Sequence, residues 1–157
     1  MIRLSATGPE GTRSVESARS SMHRAENNTD LIVRLEDGED LVRELARLDV
    51  DAAILVAGVG MLREAVLGYW NGTGYEKHTL AEPTELLSMQ GNFARREAER
   101  IVHCHVSLAR KDGTVAGGHL IAATVHNTAE IAIRRLPGIT LERRPEPSGL
   151  VGLYPTT

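Results

Sequence analysis

Short stretches of alternating side-chain character, separated by turn dipeptides, constrain this chain's fold more than any other feature. From Met61 onward VLGYW, YEKHTL, ELLSMQGNF, AERIVHCHVSL, VAGGHLIAATVH and AEIAIRRL follow one another, with Asn71-Gly72 and Asp112-Gly113 among the breaks. Side chains on a strand point to opposite faces in turn, and Asn-Gly and Asp-Gly reverse a chain tightly, so these segments predict strands joined by hairpins. LIVRL, at residues 31–35, alternates in the same way and predicts an earlier strand.

The exception is EDGEDLVRELARLDV, where Leu41, Val42, Leu45 and Leu48 return at helical spacing. Asp37 is placed to cap a helix of about three turns, with Asp40 three residues later. AAILVAGVG is apolar on both faces and reads as a buried strand whose tight exit uses Gly58 and Gly60. That GxG is not a dinucleotide fingerprint, because no third glycine follows at the required place. One helix followed by hairpins predicts an α+β domain, a mainly antiparallel sheet with one principal helix packed on it. Residues 1–29 lack an apolar period and read as a flexible tail with room for a short edge segment. The domain is expected over residues 30–153, its last part an edge segment punctuated by Pro137, Pro145 and Pro147, with residues 154–157 a C-terminal tail.

The chain's 157 residues suffice for one domain with its own core. No apolar run reaches the roughly 20 residues of a spanning helix, and the N-terminus lacks a signal peptide's apolar stretch. The lone Cys104 fits a reducing compartment, so a cytoplasmic protein without membrane association is expected. A net charge of −3 argues against nonspecific coating of nucleic acid, and Arg13, Arg19 and Arg24 are interrupted by Glu10, Glu16 and Glu26. Aromatic residues are only 3% of the chain, so the core is built from Leu, Ile, Val and Ala, a thin core of the kind a partner subunit often completes.

Chemistry concentrates in IVHCHVSLARKDGTVAGGHL. His103 and His105 are two residues apart on a strand and share one face with Ile101 and Ser107, while Val102, Cys104, Val106 and Leu108 form the opposite, apolar face. Adjacent neutral imidazoles suit a divalent metal, zinc foremost, which requires three or four ligands. His119 is the candidate third ligand. A two-residue Asp112-Gly113 loop puts it opposite Val106 on the wrong face; a three-residue loop or a bulge puts it opposite Ser107, on the histidine face. Gly117 and Gly118 mark a bulge or a close backbone approach. His78 and His126 lack ligand spacing, Cys104 belongs to the core face, Ser107 lacks an acid partner, and Arg34, Glu64, Glu76 and Glu97 are unplaced.

The succession GEDL, ILVAGVG, ELLSMQGNF, HCHVSLARKDGTVAGGHL and AEIAI resembles the plants-and-prokaryotes-conserved (PPC) domain, which in plants follows an AT-hook in nuclear proteins. That resemblance implies an α+β fold, a homotrimer, and the DNA-binding description given to the plant members. It also implies that Glu85, Leu86, Leu87, Ser88, Met89 and Gln90, matching a segment associated with assembly in those members, form an interface; as an ordinary strand the same segment buries Leu86, Leu87 and Met89. No Arg-Gly-Arg-Pro AT-hook occurs, so the minor-groove grip of the plant proteins is missing. HxH with a downstream histidine is also similar to the zinc site of acetolactate decarboxylase, which implies metal ligation by His103, His105 and His119. The expectations are a homotrimeric binding or regulatory module, DNA-linked at most at family level, or alternatively a metal-dependent lyase or hydrolase acting on a small carbonyl substrate.

Overall fold

The computed structural model describes residues 22–157, so most of the expected N-terminal tail, Arg13 and Arg19 included, lies outside the described residues. In chain order the elements are β1 (His23–Glu26), β2 (Asp30–Glu36), α1 (Leu41–Ala46), β3 (Ala53–Trp70), β4 (Tyr75–Leu80), β5 (Thr84–Arg96), β6 (Glu99–Ala109), β7 (Val115–Arg135), β8 (Thr140–Pro145) and β9 (Val151–Thr156). All strands join one sheet, antiparallel except where Arg95 of β5 meets Glu142 of β8. β3 pairs with β5, β5 with β6, β6 with β7, and β7 again with β3, so these four close a ring. β1 and β2 extend the sheet from β7, and the β8–β9 hairpin extends it from β5.

The antiparallel architecture is as expected, but the helix is a minor component. α1 has six residues, and its N-cap is Asp40, whose carboxylate accepts from the Arg43 N–H at 3.0 Å. Gly38, at φ +87°, turns the chain at the point where a helix capped by Asp37 would begin. Asp37 instead accepts from the Asn127 N–H (2.8 Å) and the Arg63 guanidinium (2.7 Å), which hold its carboxyl below the usual range. Leu41 and Leu45 of α1, and Leu48 beyond it, are buried in one cluster with Val33 and Leu35 of β2 and Ile131 and Ile133 of β7.

Four strand expectations change. β3 does not end at Gly58 and Gly60 but runs on through Trp70. A Cβ at Gly60 would lie 2.3 Å from the Thr128 carbonyl oxygen, so that glycine serves close contact between β3 and β7. AAILVAGVG is also not buried on both faces: Ala53 and Leu55 are buried, while Ile54, Val56 and Val59 stay 41%, 49% and 50% exposed. VAGGHLIAATVH and AEIAIRRL form the single strand β7, because Asn127 takes up the irregularity between them in a left-handed conformation (φ 67°). The C-terminal stretch forms a complete hairpin, β8–β9, that continues through Tyr154 and Pro155.

Candidate metal centre and cavity

The parity of the β6–β7 hairpin brings the three histidines together. Arg110 N–H donates to the Thr114 carbonyl at 2.8 Å and Ala109 pairs with Val115, leaving Lys111, Asp112 and Gly113 as a three-residue loop. The register is displaced from the two-residue arrangement in the direction opposite to the one expected, so His119 stands directly across from His105 and not across from Ser107. Facing residues of paired strands share a face, so all three imidazoles emerge together. No bulge interrupts this pairing at Gly117-Gly118. Those glycines serve close approach instead: a Cβ on Gly117 would lie 2.7 Å from the Val106 carbonyl oxygen, and one on Gly118 3.2 Å from that of Gly68.

One ring nitrogen of each of His103, His105 and His119 lies within 4.8 Å of the others. The ring centroids are 4.9 to 5.4 Å apart. Tetrahedral zinc with Zn–N of about 2.0–2.1 Å would hold its ligand atoms about 3.4 Å apart, a spacing within the 4.8 Å that bounds these three nitrogens. His119 Nδ1 is buried and has no hydrogen-bond partner among the described residues, as expected of a nitrogen whose natural partner is a ligand. Burial first, and then the positive field of Arg143, push His103 down to about 4; burial, His105 and Arg143 lower His119. Both rings are therefore neutral near pH 7, the form that binds a cation. The donor set fits a divalent metal.

The second layer of the site comes from segments distant in sequence. A Cβ on Gly68 would stand 2.8 Å from Tyr75 Cδ1, so its absence lets the Tyr75 ring fold over β3 and stack on His119 at 4.9 Å. Trp70 meets Tyr75 edge-on at 5.4 Å, and a Cβ on Gly149 would lie 3.7 Å from the indole, so the turn at Gly149 packs beside it. Arg143 of β8 donates to the Asn92 side-chain oxygen (2.9 Å) and the Val151 carbonyl (3.0 Å). His103, His119, Trp70, Tyr75, Arg143 and Glu146 line a cavity of about 440 Å³, within the size range of ligand pockets.

Sequence reasoning singled out the three histidines and missed Trp70, Tyr75, Arg143 and Glu146. Asn71-Gly72 was the one available signal: it announced the hairpin that sets Tyr75 against Trp70. Arg34, Glu64, Glu76 and Glu97 are absent from the cavity wall. His78 is exposed on β4, and His126 Nδ1 lies 2.9 Å from an Arg63 nitrogen. Cys104 is 1% exposed on the core face, where burial raises its thiol to about 12. Of the expected interface segment, Leu86 and Met89 are core residues, whereas Glu85, Leu87 and Gln90 are exposed. No helix among the described residues is long and apolar enough to cross a membrane.

Comparison with known proteins places these features in a family. A PPC protein from Pyrococcus horikoshii is 31% identical, with 86% of this chain and 94% of that one covered and a TM-score of 0.74. A metal-containing protein from Archaeoglobus fulgidus is 32% identical over 87% and 98% of the two chains, with a TM-score of 0.74. A protein from Bacteroides thetaiotaomicron with a provisional DNA-binding designation shares the fold at 20% identity, covering 85% and 96% of the chains with a TM-score of 0.79. Among curated proteins none matches. The family model for the Plants and Prokaryotes Conserved (PCC) domain matches residues 22–137, and the chain belongs to that family.

Proposed function

We propose that this protein is a homotrimeric binding module that holds a divalent metal, zinc foremost, on His103, His105 and His119 and uses it to capture a small regulatory ligand in the adjoining cavity. The observation that carries this reading is the direct pairing of His105 with His119, with a buried His119 Nδ1 that no group among the described residues satisfies. The metal-containing relative at 32% identity supports it. Three imidazoles leave at least one coordination position of zinc for a ligand.

Trimer formation has its support in the exposed apolar stripe of Ile54, Val56 and Val59 on β3, continued by Leu87 on β5 at 51% exposure. Leu87 belongs to the Glu85–Gln90 segment, which is the proposed interface. Apolar surface of this kind on neighbouring strands gains free energy when another chain covers it. The cytoplasm, where the lone thiol of Cys104 stays reduced, is the proposed compartment.

Elemental analysis of protein purified without an affinity tag tests the metal. One metal per chain is expected, with its loss in His103→Ala; metal-free protein under replete conditions would refute the site. A second reading, a metal-dependent lyase or hydrolase on a small carbonyl substrate, draws support from the Glu146 carboxylate in the wall of the same cavity. It carries with it the likeness to acetolactate decarboxylase, and it expects turnover that disappears with the metal. Direct DNA binding ranks third, given the net charge of −3. It expects affinity that falls steeply with salt.

A further inference from the structure

The cavity contains one strong electrostatic imbalance. Arg95, Arg100, Arg134, Arg135 and Arg144 each find a carboxylate partner. Arg143 has no such ion pair among the described residues: its bonds go to the neutral oxygens of Asn92 and Val151, and its Nε is buried without an acceptor. A guanidinium does not deprotonate in proteins and carries five donors, of which these two bonds leave three uncommitted. A partly buried charge without a counterion is costly unless something else supplies one.

The cavity wall does not supply it. Arg96 adds a second cation. Glu146 is the only acidic lining residue among the described residues, and it is engaged by the Tyr154 hydroxyl at 3.3 Å and the Ser148 hydroxyl at 3.4 Å. Its carboxylate also lies close over Gly152 of β9, where a Cβ would meet Oε1 at 1.8 Å. A divalent metal on the histidines would increase the positive excess. The remaining wall, including Trp70, Tyr75 and Leu150, is apolar or aromatic.

We infer that Arg143 is the anchor of a carboxylate subsite, and that the ligand of this cavity is a small carboxylic acid with a short apolar tail. The acid group takes the remaining N–H of each terminal guanidinium nitrogen, and the tail lies against Trp70, Tyr75 and Leu150. The planar donor fork matches a carboxylate, and the volume of about 440 Å³ has room for a tail of several carbons. Arg143, Glu146 and Leu150 all belong to the C-terminal hairpin, past the residues 22–137 that define the family match. Ligand choice is thus set by a segment outside the matched family domain. The inference rests on the cavity being the ligand site of the module proposed above.

The test is calorimetric titration of the full chain, zinc-loaded and metal-free, with 4-methylpentanoate and with the isosteric neutral 4-methylpentanamide. Saturable binding of the acid is expected in both forms, with the amide at least about tenfold weaker. Arg143→Gln should weaken acid binding by about 10- to 100-fold while keeping wild-type zinc stoichiometry, and Arg143→Lys, with charge but no fork, should fall between. Equal binding of acid and amide, unchanged acid affinity in Arg143→Gln, or no saturation below about 10 mM would each overturn the inference. The acid–amide comparison needs only the wild-type chain, so the subsite can be refuted even where a variant fails to fold. Absence of zinc with acid binding intact refutes the metal reading alone.

Discussion

Replacing Gly91 by alanine tests how closely the fold and the histidine site are coupled. Gly91 pairs with Cys104, between the pairs Gln90–His105 and Asn92–His103. A Cβ there would lie 2.0 Å from the His103 carbonyl oxygen and 2.8 Å from Cys104 Cα, where real Cβ contacts essentially never fall below 3.0 Å. The obstacle is backbone, so no side chain can rotate away, and β5 must part from β6 by about 1 Å at the base of the site. Overpacking of this kind costs about 3 kcal/mol, the upper end of its usual range, because ladder bonds on both sides are strained. For a chain of this length the melting temperature should fall by roughly 6–12 °C. Displacement of His103 and His105 should weaken metal binding by at least about tenfold, since ligand geometry is set by the strand backbone. Differential scanning calorimetry and competition with a chelator read the two effects. Gly74→Ala is the control: nothing lies within 4 Å of its Cβ, and its stability should change by less than about 1 kcal/mol. A Gly91→Ala protein that melts within about 2 °C of wild type and keeps its metal affinity would refute the reasoning.

Acid should destabilise the metal-free protein. Between the ordinary histidine value of 6.5 and about 4, the unfolded chain accepts a proton that folded His103 refuses, so stability falls as pH drops through that window. Urea midpoints at about pH 7 and about pH 5 should differ in wild type and differ less in His103→Gln; an equal slope in the two would contradict the assignment. Cys104, with its thiol raised to about 12, should resist alkylating reagents in the native protein and react fully in denaturant; rapid native labelling would contradict its burial. Val59→Asp, which places a charge in the exposed apolar stripe, should lower the sedimentation mass from three times 17.1 kDa to one chain. An unchanged mass would remove that stripe from the interface.

Local patterns carried much of this molecule. Strand alternation and the turn dipeptides located most of the sheet, and the two-residue spacing of His103 and His105 put them on one face, because parity within one strand is a property of the chain itself. Other features depend on what a segment meets. Whether Asp37 or Asp40 caps α1 turned on the conformation of Gly38, and whether β7 was one strand or two turned on Asn127, held by Asp37 from ninety residues away. The side of the sheet on which His119 emerged turned on which residue opened the Lys111–Gly113 loop, a one-position choice that pairs His105 with His119. Arg143 shows the widest separation between the two levels. In sequence it is one of a pair of arginines in a proline-punctuated terminus, and only the pairing of β8 with β5 carries it into the cavity that His103, forty residues earlier in the chain, also lines. The sequence alone determined which residues could bind a metal and on which face of β6 two of them stand, because those are matters of chemistry and strand period. Tertiary structure alone decided that a third joins them and that a guanidinium with no ion pair among the described residues lines the same cavity, because register and long-range packing are set by contacts that no local period encodes.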